Sequence, residues 1–162
     1  MIQIREFSPS DAPRVNELAV VAFEQFKEDY SDWPSFREKI SNISSLADTG
    51  EIIVAERHGK VVGAVAYVGP GKPKADFFRL EWPIMRMLVV HPEARGHGIG
   101  RQLAQQCLDR AKRDGAALFA LHTSELMHVA LPMYQRMGFK WWSDAPMIHG
   151  VKYGVYIKEL ND

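Results

Sequence analysis

A chain of 162 residues is long enough for one domain that buries roughly two-thirds of its unfolded surface, so a self-sufficient core is expected over residues 1–162. Its 20 Lys and Arg balance 20 Asp and Glu, leaving no field of one sign for nonspecific capture of nucleic acid or an acidic membrane surface. Cys107 is the only cysteine, which excludes an intrachain disulfide and any multi-cysteine metal site and suits a reducing compartment.

The opening "MIQIREFSPSD" lacks the apolar stretch of a signal peptide, and no run reaches the ~18 apolar residues of a membrane span. A soluble, cytoplasmic protein is expected. "IQIREF" alternates as a half-buried strand does, and "SPSDAP" supplies the capping residues and early prolines of a helix start. Val15, Leu18, Ala19, Ala22 and Phe23 follow at helical spacing. A second helix is predicted over 34–46. The joining segment "FEQFKEDYSDW" reads either as a surface crossover or as a substrate-facing loop. "EIIVAERHGKVVGAVAYVG" predicts a hairpin reversing at His58-Gly59. "GPGKPKAD" is a loop within the domain. "FFRLEWPIMRMLVV" is extended, and Pro83, which has no N–H for a ladder, predicts a bend or bulge near Trp82.

Beyond the segment "ARGHGIG", Ile99, Leu103, Cys107, Leu108 and Ala111 mark one face of a helix ending at Asp114-Gly115. "ALFALHT" predicts a buried strand. "LPMYQRM" predicts a helix with Pro132 in its first turn and Gly138 as its stop. "FKWWSD" and "VKYGVYIKEL" predict a closing antiparallel pair. The order β-α-α-β-β-β-α-β-α-β-β, with several short reversals, predicts an α/β (α+β type) chain with a mixed, mostly antiparallel sheet of about seven strands and helices on both faces.

"ARGHGIG" joins a strand to a helix whose first N–H groups lack intrahelical partners, a place that attracts phosphate. Gly96, Gly98 and Gly100 remove Cβ atoms that would hold a ligand off the backbone, and Arg95 and Arg101 add charge. A tight glycine turn with solvated arginines is the plainer alternative. A P-loop needs Lys-Ser/Thr after its last glycine, where Arg101-Gln102 stand, so a nucleoside triphosphate is disfavoured. A dinucleotide fingerprint needs G-x-G-x-x-G and an acidic end to the next strand; here the spacing is G-x-G-x-G and that strand ends in His122-Thr123.

"LVVHPEARGHGIGRQL" resembles the acyl-CoA-binding motif of the GNAT superfamily of N-acetyltransferases, Q/R-x-x-G-x-G/A after a strand, with Arg95, Gly98 and Gly100 filling it. "ALPMYQRMGF" resembles the A-x-x-x-Y-x-x-x-G-F ending of the same family. The element order also matches, so the resemblance covers nearly the whole chain.

That resemblance implies an acyl-CoA N-acyltransferase-like fold and acetyl-CoA as cosubstrate. It places the pyrophosphate on the amides of Arg95, Gly96, His97, Gly98, Ile99 and Gly100, with Arg101 nearby, and the pantetheine along Leu88, Val89 and Val90. Tyr134 matches the tyrosine that protonates the departing thiolate, and a backbone N–H near Leu88 or Val89 would meet the oxyanion. Glu81, just before the Trp82-Pro83 bend, is the first candidate base, with Glu24, Asp29 or a water wire as alternatives. Met127 stands where relatives often carry an asparagine that bonds the pantetheine; Ser124 or Thr123 would have to replace it. His91, His97, His122 and His128 lack ligand spacing, so no metal is expected; His122 is a candidate to face the acceptor.

The expected activity is acetyl transfer to a primary amine of a small molecule or peptide by direct attack, with no nucleic-acid or membrane partner. The alternative is a noncatalytic acyl-CoA-binding sensor; a nucleotide-binding protein ranks third. The family admits a homodimer, and nothing in the sequence selects one. The acceptor is unnamed, but Phe23, Phe26, Tyr30, Trp33, Trp141, Trp142 and Tyr153 offer it aromatic surface.

Overall fold

The computed structural model describes residues 1–160. Its strands are β1 (Ile2–Glu6), β2 (Glu51–Arg57), β3 (Lys60–Val68), β4 (Ile84–Val90), β5 (Leu118–Thr123), β6 (Lys140–Ile148) and β7 (Val151–Glu159). The helices are α1 (Ala12–Phe23), α2 (Trp33–Ile40), α3 (Ile99–Arg113) and α4 (Ala130–Arg136). The strands form one sheet in the order β1-β2-β3-β4-β5-β7-β6. Every neighbouring pair is antiparallel except β4 with β5. The chain thus has the mixed, mostly antiparallel sheet and the element order expected from its sequence.

Helices cover both faces. Val15, Leu18 and Ala19 of α1 and Phe36 and Ile40 of α2 bury against one face, beside Val54, Ala64 and Val89. The stripe Ile99, Leu103, Cys107, Leu108 and Ala111 of α3 buries against the other, with Leu131 and Tyr134 of α4. β3 is central, and all its residues after Lys60 are buried. Gly63 in β3 is where α3 comes closest: an added Cβ would stand 2.9 Å from Ile99 Cγ2 and 3.1 Å from Leu103 Cδ1. The absence of that Cβ lets the start of α3 lie flat on the sheet behind β4.

Three local details differ from expectation. The second helix ends at Ile40, and a 3-10 segment, Ile43–Asp48, completes the connection to β2. The extended run before β4 is irregular up to Pro83. The bulge lies not at Trp82 but at Met87 and Leu88, which together oppose Val65: Ala64 pairs with Val89 and Ala66 with Arg86. Met87 has φ +57°, the left-handed conformation that admits an extra residue on one strand. Pro83 instead sets where the strand begins.

Beyond the bulge the sheet parts. β4 and β5 share one registered pair, Ile84 with Ala120, and Ala120 donates its N–H to the Pro83 carbonyl at 3.1 Å. Past that point the β5-facing edge of β4 runs without a strand partner.

Candidate active site

A cavity of about 490 Å³ opens where the sheet parts. Leu88, Val89 and Val90 of β4 form one wall, Met127 to Ala130 and Met133 another, and Arg95, Gly96, Gly98, Ile99, Gly100 and Arg101 its end. Gly96 (φ +85°) and Gly98 (φ +74°) make the sharp turn into α3, in a region where other residues pay for their Cβ. Gly100 is already helical and serves by its size: a Cβ there would sit 3.8 Å from Leu88, Val90 and Met133, in the mouth of the cavity. Among the described residues, no protein acceptor takes the main-chain N–H groups of 95–101; the first bonded one is Gln102, to the Gly98 carbonyl at 3.0 Å. These free donors and the positive end of the α3 dipole face a common space. Arg95 reaches across to Gln25 Oε1 at 3.4 Å, and the His97 side chain points to solvent.

Tyr134 is placed by the way α4 stops. Gly138, at φ +101°, takes the left-handed position after the helix; its N–H donates to Gln135 and that of Phe139 to Tyr134, both carbonyls of the last turn. This is a Schellman motif, whose usual apolar contact is made here by Phe139 packing edge-on against the Tyr134 ring, centroids 5.8 Å apart. The Y-x-x-x-G-F spacing is therefore the spacing of a helix stop that clamps a tyrosine. Burial pushes the Tyr134 hydroxyl well above its ordinary pKa, so it remains a proton donor.

A second cavity, of about 440 Å³, adjoins the first and shares Phe23, Leu88, Met127 and Ala130 with it. Tyr134, Phe36, Ile40, Ile43, Leu121 and Tyr153 give it an apolar body, and Lys39, Asn42, Ser45, Arg86, His122 and Thr123 its polar groups. His122 lies among Phe77, Phe78 and Tyr153, with its buried Nδ1 unpartnered. Burial, helped by the nearby Arg86 charge, lowers its pKa to about 4, so it is neutral at pH 7.

The expected residues separate clearly. Leu88 to Val90, the glycine turn and Tyr134 come together around the joined cavities. Glu81 does not: it sits on an exposed turn before Pro83 and lines neither cavity, and its charge is felt by Lys74. Glu24 and Asp29 are exposed and also outside them. Of the aromatics, Phe23 and Tyr153 line the second cavity and Phe26 the first. Tyr30 is buried behind, stacked on Phe36 at 4.0 Å, while Trp141 and Trp142 are exposed on β6. Thr123 faces the second cavity, whereas Ser124 Oγ is engaged by the Leu126 N–H at 3.1 Å. Arg86 and Lys39 were not expected; the available signal was one arginine inside the apolar run "IMRMLVV". No group of three His, Cys, Asp or Glu among the described residues has metal-binding geometry.

The family model for the acetyltransferase (GNAT) family matches residues 12–139. The chain belongs to the GNAT family. Among its relatives, the S-alkylcysteine N-acetyltransferase of Bacillus subtilis is 29% identical over 133 residues, covering 80% of this chain and 74% of the relative. The L-methionine sulfoximine/L-methionine sulfone acetyltransferase of Salmonella typhimurium is 27% identical over 107 residues, 65% of this chain and 59% of the relative. In fold, this GNAT chain is similar to the PaiA N-acetyltransferase of Thermoplasma acidophilum in complex with coenzyme A, with a TM-score of 0.77, 20% identity and 99% of both chains covered.

Proposed function

We propose that this GNAT protein is an acetyl-CoA-dependent N-acetyltransferase that acetylates a primary amine of a small molecule. The observation that carries the reading is the junction of the two cavities at Leu88, on the bulged strand, with Tyr134 in the wall of one and the unpaired amides of the glycine turn at the far end of the other. Membership of the family, and relatives named for amino-acid-derived acceptors, support it.

The cavity at the sheet opening fits coenzyme A. The N–H groups of 95–101, with Arg95 and Arg101, suit a pyrophosphate, and the free edge of β4 suits the two amides of pantetheine as an added strand would. Bound acetyl-CoA supplies the activated acyl group. A main-chain N–H at the bulge, that of Leu88 or Val89, meets the thioester oxygen where negative charge develops. The amine nitrogen attacks the thioester carbon; a C–N bond forms, the C–S bond breaks, and the amine gives up a proton. Tyr134 returns a proton to the departing thiolate, so the products are the amide and the free thiol.

Among the described residues no carboxylate lines either cavity, so the amine's proton leaves through water. This suits an α-amine of pKa ~8, roughly a tenth of which is neutral at pH 7, better than a lysine-like amine, of which less than about a thousandth is. The test is thiol release from acetyl-CoA with a panel of amino acids, aminoglycosides, polyamines and peptides, together with calorimetry against coenzyme A, ATP and NAD. Amine-dependent thiol release and preference for coenzyme A are expected. Binding of acetyl-CoA without release by any amine would identify a noncatalytic binding module, and tighter binding of ATP or NAD would overturn the assignment of the cavity.

A further inference from the structure

Arg86 is a charge without an assigned task. It stands on β4, two residues before Leu88, and its side chain lines the second cavity. Arg5, Arg14, Arg110 and Arg113 each hold a carboxylate. Arg86 has no ion pair and no hydrogen bond among the described residues. It is accessible, yet desolvation by the surrounding protein pulls its pKa down, the combination produced by a guanidinium in a walled cavity rather than on an open face.

The rest of the lining sharpens the point. Lys39, an exposed side chain, is a second cation; among the described residues no Asp or Glu lines the cavity, and Asn42, Ser45 and Thr123 are neutral polar groups. A partly desolvated guanidinium that no carboxylate among the described residues pairs with is satisfied by an anion brought in with a ligand. A polyamine, with its own second positive charge, meets repulsion instead. Guanidinium favours a planar, two-oxygen partner, and a carboxylate presents its oxygens in that geometry.

Position limits the spacing. Arg86 and Leu88 stand on either side of Met87 at the bulge of β4 and both line the cavity, with Leu88 at the reacting end. An acceptor held at Arg86 and attacking beside Leu88 carries its carboxylate and its amine close together. Phe36, Ile40, Ile43, Leu46 and Ile148 leave an uncharged, apolar environment for the remainder.

Resting on the acetyltransferase reading above, we infer that the acceptor is a free α-amino acid with an uncharged apolar side chain, its carboxylate held by Arg86. The same positive surroundings disfavour the ammonium form of the bound amine and so favour the neutral nucleophile. Arg86 is a binding residue and touches no reacting bond.

The experiment measures kcat/KM in the thiol-release assay for L-methionine, L-leucine and L-phenylalanine, each beside its carboxamide and its decarboxylated amine, with the wild-type protein, Arg86→Met and Arg86→Lys. A charge-assisted contact of this kind is expected to favour the acid about 10- to 100-fold over the amide in the wild type. That ratio should fall to about 1 in Arg86→Met and lie between in Arg86→Lys, with the loss mainly in KM. Coenzyme A binding by calorimetry checks that each variant is folded; if Arg86→Met does not fold, the wild-type ratio and Arg86→Lys decide. Amides or decarboxylated amines acetylated as well as the acids, or an acid preference that survives at position 86, would overturn the inference while leaving the acetyltransferase reading intact. Acetyl-CoA binding without acetylation of any amine would overturn both.

Discussion

Tyr134 and His122 are two buried titratable groups tuned in opposite directions relative to what they can donate. Burial keeps the Tyr134 hydroxyl protonated, so its proton is present to be hydrogen-bonded to a thiolate, from a weaker acid than a free tyrosine. Replacement by Phe keeps the ring that Phe139 clamps and removes only the hydroxyl. Tyr134→Phe should therefore lower kcat about 100-fold and change coenzyme A affinity less than about threefold, readable by thiol release and calorimetry. His122 is neutral at pH 7 because burial lowers its pKa from 6.5 to about 4. An unfolded chain binds that proton near pH 6.5, whereas the folded one resists until about pH 4. Stability is therefore full above pH 6.5 and falls as pH drops toward 4, by up to about 3 kcal/mol. Urea titrations from pH 7 to 5 should show this slope, and His122→Gln should flatten it. Asp11, Glu51 and Asp114, whose carboxyls are held below their ordinary values by Arg5, Arg113 and Arg113 respectively, lose their contribution only at lower pH. A slope unchanged in His122→Gln would refute the assignment.

At the level of elements, the bulge of β4 carries the most consequence. Met87 adopts φ +57° without being glycine. A β-branched residue tolerates that conformation worse, so Met87→Ile should cost about 1–2 kcal/mol in urea denaturation, and Met87→Gly should recover most of it. Gly100→Val tests the neighbouring element differently. It adds atoms in the cavity mouth beside Leu88, Val90 and Met133, so it should weaken coenzyme A at least about tenfold with little loss of fold stability. The contrast between these elements explains what the sequence makes legible. The glycine turn, the helix stop at Gly138 and the apolar stripes of α1 and α3 are local patterns, and local patterns can be read along a single chain. The bulge is a mismatch between Ala64–Ala66 on β3 and Arg86–Val89 on β4, and no feature of either strand alone reveals it. Glu81 reads as a strand residue if Pro83 is a bend within a strand, but the strand starts after Pro83. Arg86 was visible as a charge in an apolar run, but its meaning depends on the carboxylates that the folded cavity leaves out.

For the molecule as a whole, the sheet is two sets of well-paired strands, β1 to β4 and β5-β7-β6, joined by one registered pair. A ligand that binds only the folded chain across this seam adds to its stability by mass action. Coenzyme A at about a hundredfold its Kd should contribute about 2.7 kcal/mol, or roughly 5 to 10 °C in the melting temperature, measured by a thermal shift series. No shift at saturating coenzyme A would contradict its proposed place along β4. The seam has one more consequence. An unpaired strand edge at the outside of a sheet invites another protein's strand, and chains guard such edges with charge, bulges or covering loops. Here the unpaired stretch of β4 lies in a cleft, flanked by β5 and roofed by α4. A second sheet is too wide to enter, while a single slender chain of alternating amides is not. By placing its vacancy in the middle of the sheet, the fold lets width alone distinguish a cosubstrate from an aggregating neighbour.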